Sequence, residues 1–254
     1  MAGADYQRAM NTPSPLAGRG ILITGGSRGL GAMLARELGR RGARLLLVAR
    51  GEADLERTAA DVRAAGGEAH ACAADVGDRD AIHRIAGIAA AVLGEIDVVV
   101  HDAGALGPTP LRLLADTACE DLQRVLDVNL VGPFRLTKAL LGPMLLRGRG
   151  VIAHLSSDAA VEAYPRWGAY GTAKAALDHL TRIWAAELDG TGVRFLGVDP
   201  GEMDTAMHAA AAPDADRSAL ARPADVAVAV ADLLGDPSVR NGSRIVIASG
   251  VAQR

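Results

Sequence analysis

Aromatic side chains make up only 3% of this 254-residue chain, which leaves few platforms on which nucleic-acid bases could stack. The net charge of −3 lacks the basic excess that a phosphate-backbone grip requires, so no nucleic-acid partner is expected. Short basic runs, Arg40, Arg41 and Arg44 or Arg147 and Arg149, read as solvated helix ends. With two cysteines, Cys72 and Cys119, a disulfide framework is excluded and a reducing, cytoplasmic setting is favoured. No uninterrupted apolar run of about eighteen residues occurs, so no helical membrane span is expected. The opening MAGADYQRAMNTPSPLAG carries no apolar segment of secretory type. The histidines are scattered without metal-ligand spacing, and no metal site is expected.

What is present has the balance of a soluble globular protein, 50% hydrophobic and 22% charged. Residues 1–17, with Pro13 and Pro15, read as a loosely ordered leader, and 18–254 as one domain. Continuous apolar runs predict strands at 20–25, 44–49, 68–73, 96–100, 150–155, 193–198 and 244–248. Helical patterns fall between them at 29–41, 53–65, 79–93, 117–147, 169–189 and 223–235. Strands that are apolar on both faces, in strict alternation with helices, imply an α/β fold. Its parallel sheet is doubly wound, with helices on both sides. Irregular stretches at 156–167 and 199–222 follow strand ends, where such sheets place their sites.

The first strand runs into Thr24-Gly25-Gly26-Ser27-Arg28-Gly29-Leu30-Gly31 and then directly into a helix. Glycines there let the backbone turn and approach a pyrophosphate at the helix N-terminus. A Walker loop is excluded because Gly-Lys-Ser/Thr is missing. The same residues fit the G-x-S-x-G elbow of a serine hydrolase with Ser27 as nucleophile. Against that reading, the loop ends the first strand, no HGGG-type loop precedes it, and no late histidine stands at a strand end.

Further along, Tyr170 and Lys174 are four residues apart, hence on one helix face, with Ser157 thirteen residues upstream of the tyrosine. A phenol is a poor proton donor at neutral pH, and a fixed positive charge nearby is expected to pull its pKa down. The arrangement suits proton transfer to or from a reacting oxygen.

Taken in order, these residues resemble the short-chain dehydrogenase/reductase family in its compact single-domain branch, from about 18 to 250. Thr24 through Gly31 resembles its T-G-x-x-x-G-x-G cofactor loop, and Asp75-Val76 the pair closing over the adenine. Ala103-Gly104 falls in the loop after strand four. Asn129, Ser157, Tyr170 and Lys174 resemble the catalytic tetrad. Pro200-Gly201, with Met203 and Thr205, resembles the turn on the nicotinamide side. The resemblance implies a Rossmann-like sheet of about seven strands and a nicotinamide-dependent enzyme interconverting a carbonyl and an alcohol. Ser157 would hold the substrate oxygen and Tyr170 would exchange its proton. Lys174 would sustain phenolate character and reach the ribose hydroxyls. Asn129 would help a water chain connect Lys174 to solvent. Cofactor binding is then expected at Gly25, Ser27, Arg28, Gly29, Leu30, Gly31, Arg50, Asp75, Val76, Ala103, Gly104, Tyr170, Lys174, Pro200, Gly201, Met203 and Thr205.

NAD-preferring enzymes place an acid at the end of strand two. Here Arg50 stands there with Arg28 and Ser27 nearby, which favours NADP(H) over NAD(H). A pocket walled by Ala105, Leu106, Tyr164, Trp167, Met203 and Met207, with Glu162 and Arg166 as polar handles, suits a small uncharged carbonyl or alcohol. Two departures stand out: His101-Asp102 replaces the family's usual Asn-Asn, and Asp199 precedes Pro200 where asparagine is common. By analogy with relatives, small residues such as Ala169, Ala176 and Ala186 suit association into a homodimer or homotetramer. A sensor that binds NADP(H) without turnover is the remaining alternative, although sensors of this family usually lack the tyrosine or the lysine.

Overall fold

The computed structural model describes residues 14–247. Seven parallel strands form one sheet in the order β3-β2-β1-β4-β5-β6-β7. They are β1 (Gly20–Thr24), β2 (Arg44–Ala49), β3 (Glu68–Ala73), β4 (Val98–His101), β5 (Gly150–Leu155), β6 (Val193–Asp199) and β7 (Arg244–Val246). The helices between them are α1 (Gly29–Arg40), α2 (Glu52–Ala64), α3 (Ala81–Leu93), α4 (Cys119–Leu126), α5 (Gly132–Arg147), α6 (Gly168–Glu187), α7 (Ala206–Ala211) and α8 (Pro223–Gly235).

Alternate residues of each strand feed two separate cores, as the period of two in a strand requires. Ile21, Ile23, Leu45 and Leu47 pack with α1, α2 and α8, while Leu22, Leu46, Val99 and Phe195 pack with α3 and α5. Covering both faces is what makes the strands apolar throughout. The chain travels outward from β1 to β3 and then crosses back to β4, so β1 and β4 become neighbours. A crevice opens where the order reverses, beyond the carboxyl ends of these two strands.

Three expectations need correction. The helix expected over 117–147 is divided into α4, a π-helical segment Asp127–Val131, and α5. Pro133 has no N–H to return to the Asn129 carbonyl four residues back, so an α ladder cannot run unbroken through this point. The Gly132 N–H instead bonds five residues back, to Asp127. The segment 199–222 holds α7, whose first turn is capped by the Thr205 hydroxyl accepting from the His208 N–H at 3.1 Å. Residues 14–17 of the expected leader are packed: Leu16 is 3% exposed and belongs to the core beneath α8. Residues 1–13 of that leader, and the end of the strand expected at 244–248, lie outside the described residues.

His101 accounts for one of the departures. It faces His154 across the β4–β5 register, and the two rings stack at 5.0 Å. The Thr181 hydroxyl donates to the Leu177 carbonyl at 2.7 Å, so the 2.8 Å contact with His154 must be an Nδ1–H donated to Thr181. Thr137 meets His101 Nε2 at 3.0 Å. Burial, reinforced by the nearby charge of Lys174, holds His154 down to about 3 and His101 well below the usual imidazole range. Both rings are therefore neutral packing elements under α5 and α6.

Candidate active site

A cleft of about 640 Å³ occupies the crevice between the ends of β1 and β4. Gly25, Ser27, Arg28, Gly29, Leu30, Arg50, Asp75, Val76, Ala103, Gly104, Met203 and Thr205 all line it, contributed by five different segments of the chain. Gly31 lies beneath this wall, and Pro200 and Gly201 are outside its lining. The closeness of its two rims has a chemical cause. Gly25 has φ +81°, and a Cβ there would fall 2.8 Å from the Ala103 nitrogen. A Cβ on Gly31 would meet Asp102 Oδ2 at 2.6 Å. The Thr24 hydroxyl accepts from the Ala103 N–H at 3.2 Å and ties the two rims together. At the far end Asp75 accepts the Gly77 N–H at 2.9 Å, which fixes its carboxylate at the lip. A glycine-lined cradle opening on the first turn of a twelve-residue helix, with Arg28 and Arg50 free of ion pairs among the described residues, fits the pyrophosphate of a dinucleotide.

Tyr170, Lys174, Ser157 and Asn129 adjoin this cleft without forming its open wall. Tyr170 and Lys174, in the first two turns of α6, are 8% and 3% exposed. The ammonium lies 5.5 Å from the phenol ring centroid and donates to the Leu155 carbonyl at the end of β5, at 2.6 Å. Burial pulls Lys174 down to about 8, opposed by Asp102, Asp178 and Asp199. Tyr170 moves the other way from the expectation. Burial pushes its pKa above the ordinary phenol value, and the pull that opposes this comes from the Ser157 hydroxyl. Desolvation of the phenolate outweighs this pull, with Asp102, Asp158 and Asp199 adding to the rise. Trp167 packs edge-on against the Tyr170 ring at 5.7 Å and closes its outer side.

Asn129 sits in the π-helical segment, and its side chain is held by the loop after β4. Its amide donates to the Ala105 carbonyl at 2.7 Å and accepts from the Ala105 N–H at 2.9 Å. The side chain thus clamps the loop after β4.

Two residues in the site's support escaped the sequence. Asp158 accepts from the Ser157 hydroxyl at 2.8 Å, from the Ala159 N–H at 2.8 Å and from the exposed Tyr164 phenol at 3.0 Å. A serine hydroxyl has one proton, so while Asp158 holds it Ser157 presents lone pairs to its other neighbours. Arg244, on β7, donates to Asp178 at 2.9 Å, to Asp199 at 2.8 Å and to the Ser157 carbonyl at 2.9 Å. That guanidinium explains Asp199: the carboxylate is paired, and its second oxygen accepts the Gly201 N–H at 3.0 Å to set the turn. Ser156 next to it donates to Asp178 at 2.8 Å. The acid following Ser157 was a readable signal; Arg244, distant in sequence, carried none. Among the described residues no cluster of metal-ligating side chains occurs, and no helix is long and apolar enough to cross a membrane.

Known proteins resemble this chain in sequence and fold. The family model for short chain dehydrogenases matches residues 19–216. The short chain dehydrogenase MYCFIDRAFT_6125 of Pseudocercospora fijiensis is 35% identical over 76% of this chain and 62% of its own length. The short-chain dehydrogenase/reductase FrzI of Cladobotryum sp is 38% identical over 77% of this chain and 75% of its own. The chain thus spans less than two thirds of the first curated relatives it matches, 62% and 60%. A metagenomic short-chain oxidoreductase in complex with NADP superposes with a TM-score of 0.79 at 31% identity, covering 92% of this chain and 98% of that one. NAD+-bound xylitol dehydrogenase gives a TM-score of 0.83 at 26% identity, covering 92% and 99%.

Asp102 provides a test of the site's electrostatics. It lines the cleft, takes a hydrogen bond from the Gly31 N–H, and is pushed up to about 7 by burial from an ordinary 3.8. Between those values the folded protein holds a proton that the unfolded chain has released, so stability falls as pH rises from about 4 to about 7 and is level above. Asp102→Asn removes this titration. The stability gain of the variant, from urea unfolding, should grow by about 4 kcal/mol across that window and then stay constant. A gain independent of pH would contradict the assignment.

Proposed function

The chain belongs to the short-chain dehydrogenase/reductase family, and on that premise we propose that it interconverts a small uncharged carbonyl compound and its alcohol with NADP(H). The observation that carries this reading is the meeting of Ser157, Tyr170 and Lys174 beside a glycine-lined cleft. When bound, the nicotinamide supplies or accepts the hydride. Tyr170 gives or takes the proton on the substrate oxygen. Lys174, anchored on the Leu155 carbonyl, keeps its positive charge beneath the phenol ring and favours the phenolate as the proton leaves. Ser157 holds the substrate oxygen in line, its hydroxyl orientation governed by Asp158. Burial under Trp167 and α6 excludes bulk water and strengthens each of these contacts.

The expected substrate is neutral because the pocket wall is mostly apolar. Met203 and Met207 border the cleft, and Trp167 borders Tyr170. Retention of both tyrosine and lysine supports turnover over a silent sensing role. Phe134 and Ile183, partly exposed on α5 and α6, support association of copies through those helices. The NADP preference rests on Arg28 and Arg50, which line the cleft in the absence of an acid at the end of β2. Structural neighbours occur with NADP and with NAD alike, so the charge at this end of the cleft is the distinguishing argument.

Tyr170→Phe should keep cofactor affinity within severalfold while turnover falls by about 10²- to 10⁴-fold, the range for loss of a general acid. Steady-state kinetics alongside cofactor titration checks this, and substantial residual activity would refute the role. Separately, Arg28→Ala and Arg50→Ala should each weaken NADPH about tenfold or more and leave NADH nearly unchanged. Equal losses for both cofactors would remove the preference.

A further inference from the structure

Three arginines from three parts of the fold converge on one volume. Arg28 ends the glycine loop, Arg50 follows β2, and Arg124 projects from α4. All three line the 640 Å³ cleft, and all three also line an adjoining cavity of about 450 Å³. Arg36, Arg41, Arg63, Arg149, Arg217 and Arg222, among others, each have a carboxylate within 4 Å, while exposed arginines such as Arg79 and Arg112 stand without one among the described residues. Among the described residues Arg28, Arg50 and Arg124 have none. Asp54, Asp75 and Asp121 border the same two cavities, yet none of them comes within ion-pair distance of these arginines.

Like charges gathered in one hollow repel, and the arrangement becomes favourable only when an anion enters. Arg124 lies one helical turn before Val128 and shares the cleft with Val128 and Asp75. An unpaired guanidinium there can present a planar fork to a phosphate, which a lysine could not match.

We propose that Arg124 is a third cofactor-selecting residue, closing over the adenosine 2′-phosphate from the side of α4 opposite Arg28 and Arg50. This rests on the NADP reading above and extends it to an element outside the glycine loop and the end of β2. The clamp then has two walls, one on each rim of the cleft, and grips the phosphate between them.

The test uses two small probes, adenosine 2′,5′-bisphosphate and adenosine 5′-monophosphate, titrated calorimetrically into the wild-type protein and into Arg124→Gln. Arg124 is exposed, and thermal unfolding of the variant checks that the fold is intact. The expected result is a loss of about tenfold in bisphosphate affinity, with monophosphate affinity unchanged. Arg124→Lys should recover part of the loss, since charge returns without the fork. An equal loss for both probes would place Arg124 on the adenine or the 5′-phosphate and overturn the proposal, as would no loss for either. Should the wild-type protein bind both probes equally, the NADP reading itself fails, and that outcome is distinct from a failure confined to Arg124.

Discussion

A buried ammonium tied to a backbone carbonyl is the interaction on which this site depends. Lys174 is 3% exposed and meets the Leu155 carbonyl at 2.6 Å. Removing a lysine from water strongly disfavours its charged form. Three carboxylates offset that cost from different directions: Asp102 at the end of β4, Asp178 one turn further along α6, and Asp199 at the end of β6. Two of the three are held by Arg244 on β7. The charge beneath Tyr170 is thus maintained by a network reaching to the last strand of the sheet, and the same guanidinium braces the backbone of Ser157.

This network also explains why the neighbouring polar residues behave as they do. His101 and His154 lie under α5 and α6 within reach of the Lys174 charge, so they stay neutral and serve as stacked packing. Tyr170 remains protonated because burial outweighs the help it receives, which suits a group that delivers its proton only when a reacting oxygen arrives. Asp158 adds a second level of control by competing for the single proton of Ser157. In the proposed reaction positioning is divided accordingly: α6 supplies the acid, β5 anchors the lysine beside it, and the segment after β5 supplies the hydroxyl that meets the substrate.

Much of this was legible in the amino-acid order, because local chemistry governs it. Continuous apolar runs such as Leu45–Leu46–Leu47 announce strands covered on both faces, and the glycine loop announces a backbone that must pass close to Ala103. The Tyr170 and Lys174 pair was legible as a four-residue spacing, whereas Asn129 was named only through resemblance to the family. What escaped depends on contacts between distant parts of the chain. The pairing of Asp199 with Arg244 joins residues 45 positions apart, and no periodicity encodes it. The balance of burial and charge on Tyr170 likewise depends on which groups surround it in space. The π-helical segment was half visible: Gly132-Pro133 inside a helical pattern flags a break, but only the packing of Gly132 against the Val76 carbonyl shows where the helix resumes.

The central claim is that this proton-exchanging cluster serves direct hydride transfer in the adjoining cleft. It is tested most directly with NADPH carrying deuterium at one face of C4, incubated with the purified protein and a panel of aldehydes and diketones. The account predicts cofactor oxidation with at least one carbonyl and deuterium from a single face on the new carbinol carbon. Across such a panel, failure to consume NADPH, or a product carbon bearing only solvent hydrogen, would contradict it.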